Sequence, residues 1–131
     1  MKLLLVTHYS ASHRGGVEIL ADTIARGLAE RHGFDITWVA GNCDPPCDPP
    51  LTAAPVPVCN FTEKRLGFPY PIWWSPLSYL KLWRLVGEHD AVHVHDCLYH
   101  GCVLAFLVAK LRRRPVLLTQ HIAMVPYKNP V

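Results

Sequence analysis

The order of segments along this chain of 131 residues predicts an α/β fold with a doubly wound parallel sheet. Short apolar runs suited to strands alternate with longer segments that show the apolar spacing of helices. Consecutive parallel strands cannot be joined by a tight turn and need a long crossover connection. The predicted helices are long enough to form such crossovers. Hydrophobic residues make up 50% of the chain and charged residues 18%, a globular composition, and the length suits one domain spanning residues 1–131.

The predicted first strand and first helix enclose a glycine loop. Residues 3–6 form an apolar run, and Gly15 and Gly16 then lead into a helical pattern that Gly33 ends. The unpaired N–H groups at such a helix start attract anions, so the loop predicts a phosphate-binding site. An ordinary tight turn is the alternative, because the dinucleotide-binding fingerprint G-x-G-x-x-G is absent.

The predicted second strand, residues 35–40, is followed by a proline-rich loop. Residues 42–57 hold six of the twelve prolines. Because proline has no N–H group to donate within a sheet, we expect only a brief strand there, at an edge, formed by Val56, Val58 and Phe61.

Two helices and two strands complete the predicted order. A serine and a proline at residues 75–76 are typical of a helix start, and we expect that helix to end at Gly87. Residues 90–95 alternate as a strand. Residues 99–111 form an almost wholly apolar helix, which we expect to be covered on both faces, and residues 116–119 form the last strand.

Composition and charge exclude several classes of function. The formal net charge of +3 is too small to indicate a nucleic acid as partner, and the basic residues cluster only at residues 112–114. No stretch has the 18 or more apolar residues of a membrane span, and the opening apolar run is too short for a secretory signal peptide. The simplest location is cytoplasmic, with the inner face of the membrane as the alternative.

Five cysteines without a secretory context indicate reduced thiols rather than a disulfide framework. A zinc site at Cys43, Cys47 and Cys59 is conceivable, but the paired C-x-x-C spacing of structural zinc sites is missing. Packing as small apolar residues is the favoured interpretation.

Aromatic and basic residues are mixed where the second helix begins. One interpretation is ordinary packing in the core and at its rim, and the other is contact with a membrane surface or a lipid-linked substrate. The residues concerned are Trp73, Trp74, Tyr79, Lys81, Trp83 and Arg84.

Polar side chains follow three of the predicted strands. His8 follows the first strand, His95 and Asp96 follow the strand at 90–95, and residues 119–121 close the last strand. Because the carboxyl ends of parallel strands meet at one edge of the sheet, where ligands bind, these side chains predict a site.

His93 and His95 are two positions apart on one strand, so both should face the same side of the sheet. A metal site that adds His121 is one interpretation of this pair. The other interpretation, histidines with ordinary hydrogen-bond partners, is the more common case near the end of a strand.

The chain resembles the N-terminal part of family-four retaining glycosyltransferases in three motifs. The first is the opening LLLVTHYSASHRGGVE with its GG-x-E turn, and the others are DAVHVHD and PVLLTQH, similar to strand ends on the acceptor side in that family. The motifs occur in the family's order and spacing, and the resemblance covers nearly the whole chain.

The resemblance implies the Rossmann-like N-terminal half of a GT-B enzyme. Such a transferase, of hexosyltransferase type, moves a sugar from a nucleotide diphosphate sugar to a glycan or lipid-linked acceptor, as in polysaccharide biosynthesis. Matched by motif, Gly15 and Gly16 would approach the donor diphosphate, and His121 would be the catalytic residue beside the transferred sugar. On the acceptor side the resemblance implies His8, His95, Asp96 and Thr119.

The resemblance implies no metal and no cofactor beyond the nucleotide sugar as co-substrate. The family's donor-binding C-terminal domain has no counterpart in these residues, so we expect an incomplete GT-B domain that is inactive by itself. Two other classes remain as alternatives, a non-catalytic phosphate- or nucleotide-binding module and an interaction domain.

Overall fold

The computed structural model describes residues 1–59, 72–73 and 75–121. Its main sheet is parallel throughout, with strands in the order β3-β2-β1-β6-β7. The strands of this sheet are β1 (Lys2–Val6), β2 (Asp35–Val39), β3 (Thr52–Ala53), β6 (Ala91–His95) and β7 (Val116–Thr119). The other elements are an antiparallel pair, β4 (Val58–Cys59) with β5 (Ile72–Trp73), and the helices α1 (Gly16–His32), α2 (Pro76–Glu88) and α3 (His100–Leu111).

Helices cover both faces of the sheet, which confirms the doubly wound α/β fold. Alternate residues of β1 point to opposite faces, as the pleat of a strand requires. Leu3 and Leu5 pack in a core with α1, whereas Leu4 and Val6 pack in a second core with α2 and α3. The apolar run of β1 is therefore buried on both sides, as strands of parallel sheets are.

The edge strand lies earlier in the chain than the proline pattern predicts. β3 is formed by Thr52 and Ala53, inside the proline-rich loop, because the N–H group of Ala54 is free to donate to the carbonyl of Trp38 at 2.8 Å. Val56 forms only an isolated bridge, and Val58 lies in the antiparallel pair instead. The third expected strand residue, Phe61, lies outside the described residues, as does Trp74.

The expected end of α2 at Gly87 is wrong, because the helix includes Gly87 and ends at Glu88. Glycine at position 87 allows close contact with the end of α3, because a Cβ there would meet the guanidinium group of Arg112. Arg114 also donates to the Gly87 carbonyl at 2.6 Å. At the start of α2, Ser75 occupies the N-cap position as predicted, but its side chain makes no capping hydrogen bond.

The expectation that α3 is covered on both faces is also wrong. One side of α3 packs on the sheet through Cys102, Ala105 and Ala109, all 0% exposed. On the other side Leu107 is 50% exposed and Leu111 72%. No helix within the described ranges is long and apolar enough to cross a membrane.

Candidate functional site

The site is built where β1, β6 and β7 end side by side. The chain runs from β1 toward β2 in one direction and from β6 toward β7 in the other, so the strand order reverses between β1 and β6. At such a switch point the loops that leave neighbouring strands diverge and leave a crevice for a ligand. The register places His95 directly beside Thr119 at this edge.

Three histidines form a cluster at the ends of β6 and β7, which we call the histidine cluster: His93, His95 and His121. The rings of His93 and His95 lie 4.2 Å apart, so both face the same side of the sheet, as the alternation predicts. Nδ1 of His95 is hydrogen-bonded to Nε2 of His121 at 2.8 Å, and their rings are stacked 5.1 Å apart. Nε2 of His93 is hydrogen-bonded to the hydroxyl of Thr119, also at 2.8 Å.

Asp96 holds the backbone at His121 in place. The N–H group of His121 donates to Oδ1 of Asp96 at 2.7 Å, and the N–H group of Asp96 donates to the carbonyl of Thr119 at 2.9 Å. Asp96 is fully buried with a φ of 61°, a left-handed conformation uncommon outside glycine, asparagine and aspartate. Its second oxygen, Oδ2, has no hydrogen-bond partner among the described residues.

Burial lowers the pKa of two members of the histidine cluster, His95 and His93. The pKa of His95 falls to about 3, first because burial disfavours the charged ring and then because His93 and His121 lie close to it. The pKa of His93 is lowered for the same first reason and by His121. In the hydrogen bond between His95 and His121 one ring nitrogen donates and the other accepts, so the bond links the positions of the protons on the two rings.

His8, after β1, lies in an aromatic group rather than in the histidine cluster. Its ring is stacked on Tyr99 with centroids 4.3 Å apart and meets the edge of Tyr9. Burial, with a smaller contribution from His13, lowers its pKa to about 4. Tyr99 is the N-cap residue of α3, so this stack joins the end of β1 to the loop after β6.

The glycine loop turns differently from the sequence expectation. The left-handed residue is Arg14, with a φ of 56°, whereas Gly15 has an extended conformation with a φ of −73°. Gly15 is required instead for a close approach, since a Cβ there would collide with the carboxylate of Glu18. A Cβ at Gly16 would meet nothing within 4 Å, so the start of α1 is open on that side.

Two buried carboxylates lie near Cys102, one in the first turn of α1 and one after β6. Glu18 is 5% exposed and Asp96 is 0% exposed. Both raise the pKa of the Cys102 thiol, together with Cys97 and after the larger effect of burial. Glu18 of α1 and Asp96 after β6 therefore both lie within electrostatic range of Cys102 in α3.

The model of one protein family matches almost all of this sequence. It is described as Glycosyltransferase Family 4, and it matches residues 14–130. The chain belongs to glycosyltransferase family 4. No curated protein matches the chain. The matched region contains the glycine loop, Asp96, Thr119 and His121, and it begins after His8.

In this family 4 chain the predicted site residues fall into two groups. His95, Asp96, Thr119 and His121 are brought together by direct hydrogen bonds or adjacent register. His8, Gly15 and Gly16 belong to the neighbouring loop after β1, and the stack of His8 on Tyr99 connects the groups. Tyr99 is a neighbour that the sequence did not indicate, because a stack between two loops leaves no periodic pattern.

The described residues offer no ready metal site in this family 4 chain. Among them, no group of three or more His, Cys, Asp or Glu side chains is placed to hold a metal ion. The described cysteine side chains, Cys43, Cys47, Cys97 and Cys102, are not joined in disulfides. The third cysteine of the conceivable zinc site, Cys59, has a side chain outside the description.

Proposed function

We propose that the chain is the acceptor-side domain of a retaining GT-B glycosyltransferase. The reaction would move a hexose from a nucleotide diphosphate sugar to a glycan or lipid-linked acceptor, with no metal and no further cofactor. The observation that carries the proposal is the position of His121, which His95 and Asp96 hold at the edge of the sheet where β6 and β7 end. Membership of family 4 supports it.

The proposed chemistry is positioning and electrostatic stabilisation. The unpaired N–H groups at the start of α1 would face the leaving diphosphate, where negative charge develops. The imidazole of His121, its backbone held by Asp96, would bind the transferred sugar near its reacting carbon. His8, His95 and Thr119 would line the acceptor side, and Glu18 would support the glycine loop.

The proposal also requires a partner, a donor-binding domain that closes the other side of the cleft. Among the described residues, Arg14 is the cation that the glycine loop itself contributes, so most of the affinity for the nucleotide would come from that domain. The chain alone would therefore have no transferase activity. A lipid-linked acceptor would place the reaction at the inner face of a membrane.

The glycine loop gives the first test, through Gly16→Ala. The open space at Gly16 means that alanine fits the folded chain, but its methyl group would stand where a diphosphate must approach. We expect inorganic pyrophosphate to shift the amide resonances of Val17 and Glu18 in ¹⁵N-labelled wild-type chain. In the variant we expect at least tenfold weaker binding of this probe, about 1.4 kcal/mol.

Gly27→Ala is the matched control, because Gly27 is also in α1 and also has nothing within 4 Å of an added Cβ. It should bind pyrophosphate like the wild type. Equal shifts in both variants, or none in the wild type, would remove the glycine loop from the proposed site. A chain that binds pyrophosphate but transfers no sugar when it is joined to a donor-binding domain would instead be a non-catalytic phosphate-binding module.

A further inference from the structure

The outer surfaces of α2 and α3 carry large apolar side chains that no other described residue covers. We call this area the α2–α3 surface and define it by five residues. They are Leu77, Leu80 and Trp83 of α2, which are 72%, 66% and 46% exposed, and Leu107 and Leu111 of α3, which are 50% and 72% exposed. Single exposed leucines are ordinary on proteins, but a group of this size on adjacent helices indicates a contact surface.

The two helices that carry the α2–α3 surface, with the residues directly after α3, also form the basic part of the molecule. The two helices and the three residues after α3 contain six basic residues and one acidic residue. The basic residues are Lys81, Arg84, Lys110, Arg112, Arg113 and Arg114. The acidic one, Glu88, is paired with Arg84 at 2.6 Å, and the rest of the chain has more acidic than basic residues.

Arg112 combines the apolar and basic character in one place. Its guanidinium group lies over the Trp83 ring, 5.0 Å from the ring centroid, and it donates to the Trp83 carbonyl at 2.9 Å. This contact joins the C-terminal ends of α2 and α3. Trp73, by contrast, is only 2% exposed, because its ring packs against Gly101, so it belongs to the core rather than to any outer surface.

We infer that the α2–α3 surface docks on an anionic membrane. Leucine and tryptophan side chains insert at the boundary between headgroups and acyl chains, while lysine and arginine stems reach up to anionic headgroups. Both features are present on the same pair of helices, and an anionic membrane matches both of them at once. The contact is peripheral, and it does not depend on the proposed transferase function.

The test is co-flotation of the full 131-residue chain with lipid vesicles. We expect binding to vesicles of equal parts phosphatidylglycerol and phosphatidylcholine, and little binding to phosphatidylcholine alone. Binding should weaken as salt is raised, because the attraction to headgroups is screened. Trp83 fluorescence should shift to the blue on binding, as its ring leaves water.

Two double variants separate the apolar and electrostatic contributions. Leu80→Gln with Leu107→Gln keeps helix propensity but removes apolar side chains, and Lys110→Gln with Arg113→Gln removes two charges. We expect each to weaken binding to anionic vesicles by about tenfold or more.

The matched controls lie on or before α1. Leu20→Gln replaces a leucine that is 44% exposed there, and Arg14→Gln with Arg31→Gln removes two charges elsewhere. Arg14 also matches Arg113 in backbone conformation, with φ of 56° and 54°. Controls that bind as weakly as the test variants, or wild-type chain that ignores anionic vesicles, would overturn the inference. So would self-association that Leu80→Gln with Leu107→Gln abolishes in a chain that binds no vesicles.

Discussion

His8 and His95 are buried imidazoles that the folded chain must keep uncharged. His8 is 4% exposed and His95 is 1% exposed. Burial lowers their pKa values to about 4 and about 3, respectively. In the unfolded chain each would titrate near 6.5. Below that pH the unfolded state binds more protons than the folded state, so acid favours unfolding.

We therefore predict that the free energy of unfolding is smaller at pH 5 than at pH 7.5. Each of these two histidines contributes stability that is complete above about pH 6.5 and is lost as the pH falls toward its folded pKa. By pH 5 the loss is roughly 2 kcal/mol for each. Urea unfolding of the chain at both pH values measures the difference.

His95→Gln should reduce this pH dependence by roughly 2 kcal/mol, because glutamine does not titrate. Leu20→Gln, which replaces an exposed residue of α1 and removes no titrating group, should leave it unchanged. Stability that is equal at the two pH values would contradict the assignment of neutral, buried rings.

Single-residue features divide into those that the sequence can predict and those that it cannot. The alternation of a strand is enough to place His93 and His95 on the same side, and the structure agrees. The left-handed turn at Arg14 could not be predicted, since the adjacent glycines are the usual residues for that conformation. The bond from Asp96 to the His121 backbone joins residues 25 apart in sequence, and no local pattern signals it.

The elements that the sequence predicts best are those buried by their own apolar pattern. β1, β2, β6 and β7 each follow an uninterrupted or alternating apolar run, and the structure has them within one residue of the prediction. β3 was missed because its two residues lie among prolines, where propensity argues against a strand. The end of α2 was misplaced because Gly87 remains helical and makes room for Arg112, a residue distant in sequence.

The packing of α3 against β5 gives a prediction at this scale, through Gly101→Ala. A Cβ at Gly101 would lie within 2.5 Å of the Trp73 ring, which is buried and has no room to move outward. We expect a loss of about 1–3 kcal/mol in the free energy of unfolding, measured by urea titration, as for other overpacked cores. Gly27→Ala, in open space on α1, should be neutral or stabilising by up to about 1 kcal/mol. Equal stability of both variants would show that the helix is free to move away from Trp73.

At the scale of the whole molecule, topology decides which residues meet. The loops after β1, β6 and β7 are far apart in sequence, but the strand order brings them to one edge of the sheet. Family 4 membership and this arrangement agree with each other, and a match to the family from residue 14 onward includes all of the edge except His8. The remaining question is whether His121 acts on a sugar there.

Sugar transfer with His121→Ala tests this central claim most directly. With the chain joined to a donor-binding domain of a family 4 enzyme, a panel of nucleotide diphosphate sugars and acceptors is assayed for kcat and KM. We predict that the variant lowers kcat by about 100-fold or more, the effect of losing one preorganised donor, while KM for the donor changes little. His32→Ala should behave as the wild type does. Unchanged kcat in His121→Ala would contradict the account, because the histidine cluster would then have no part in the reaction.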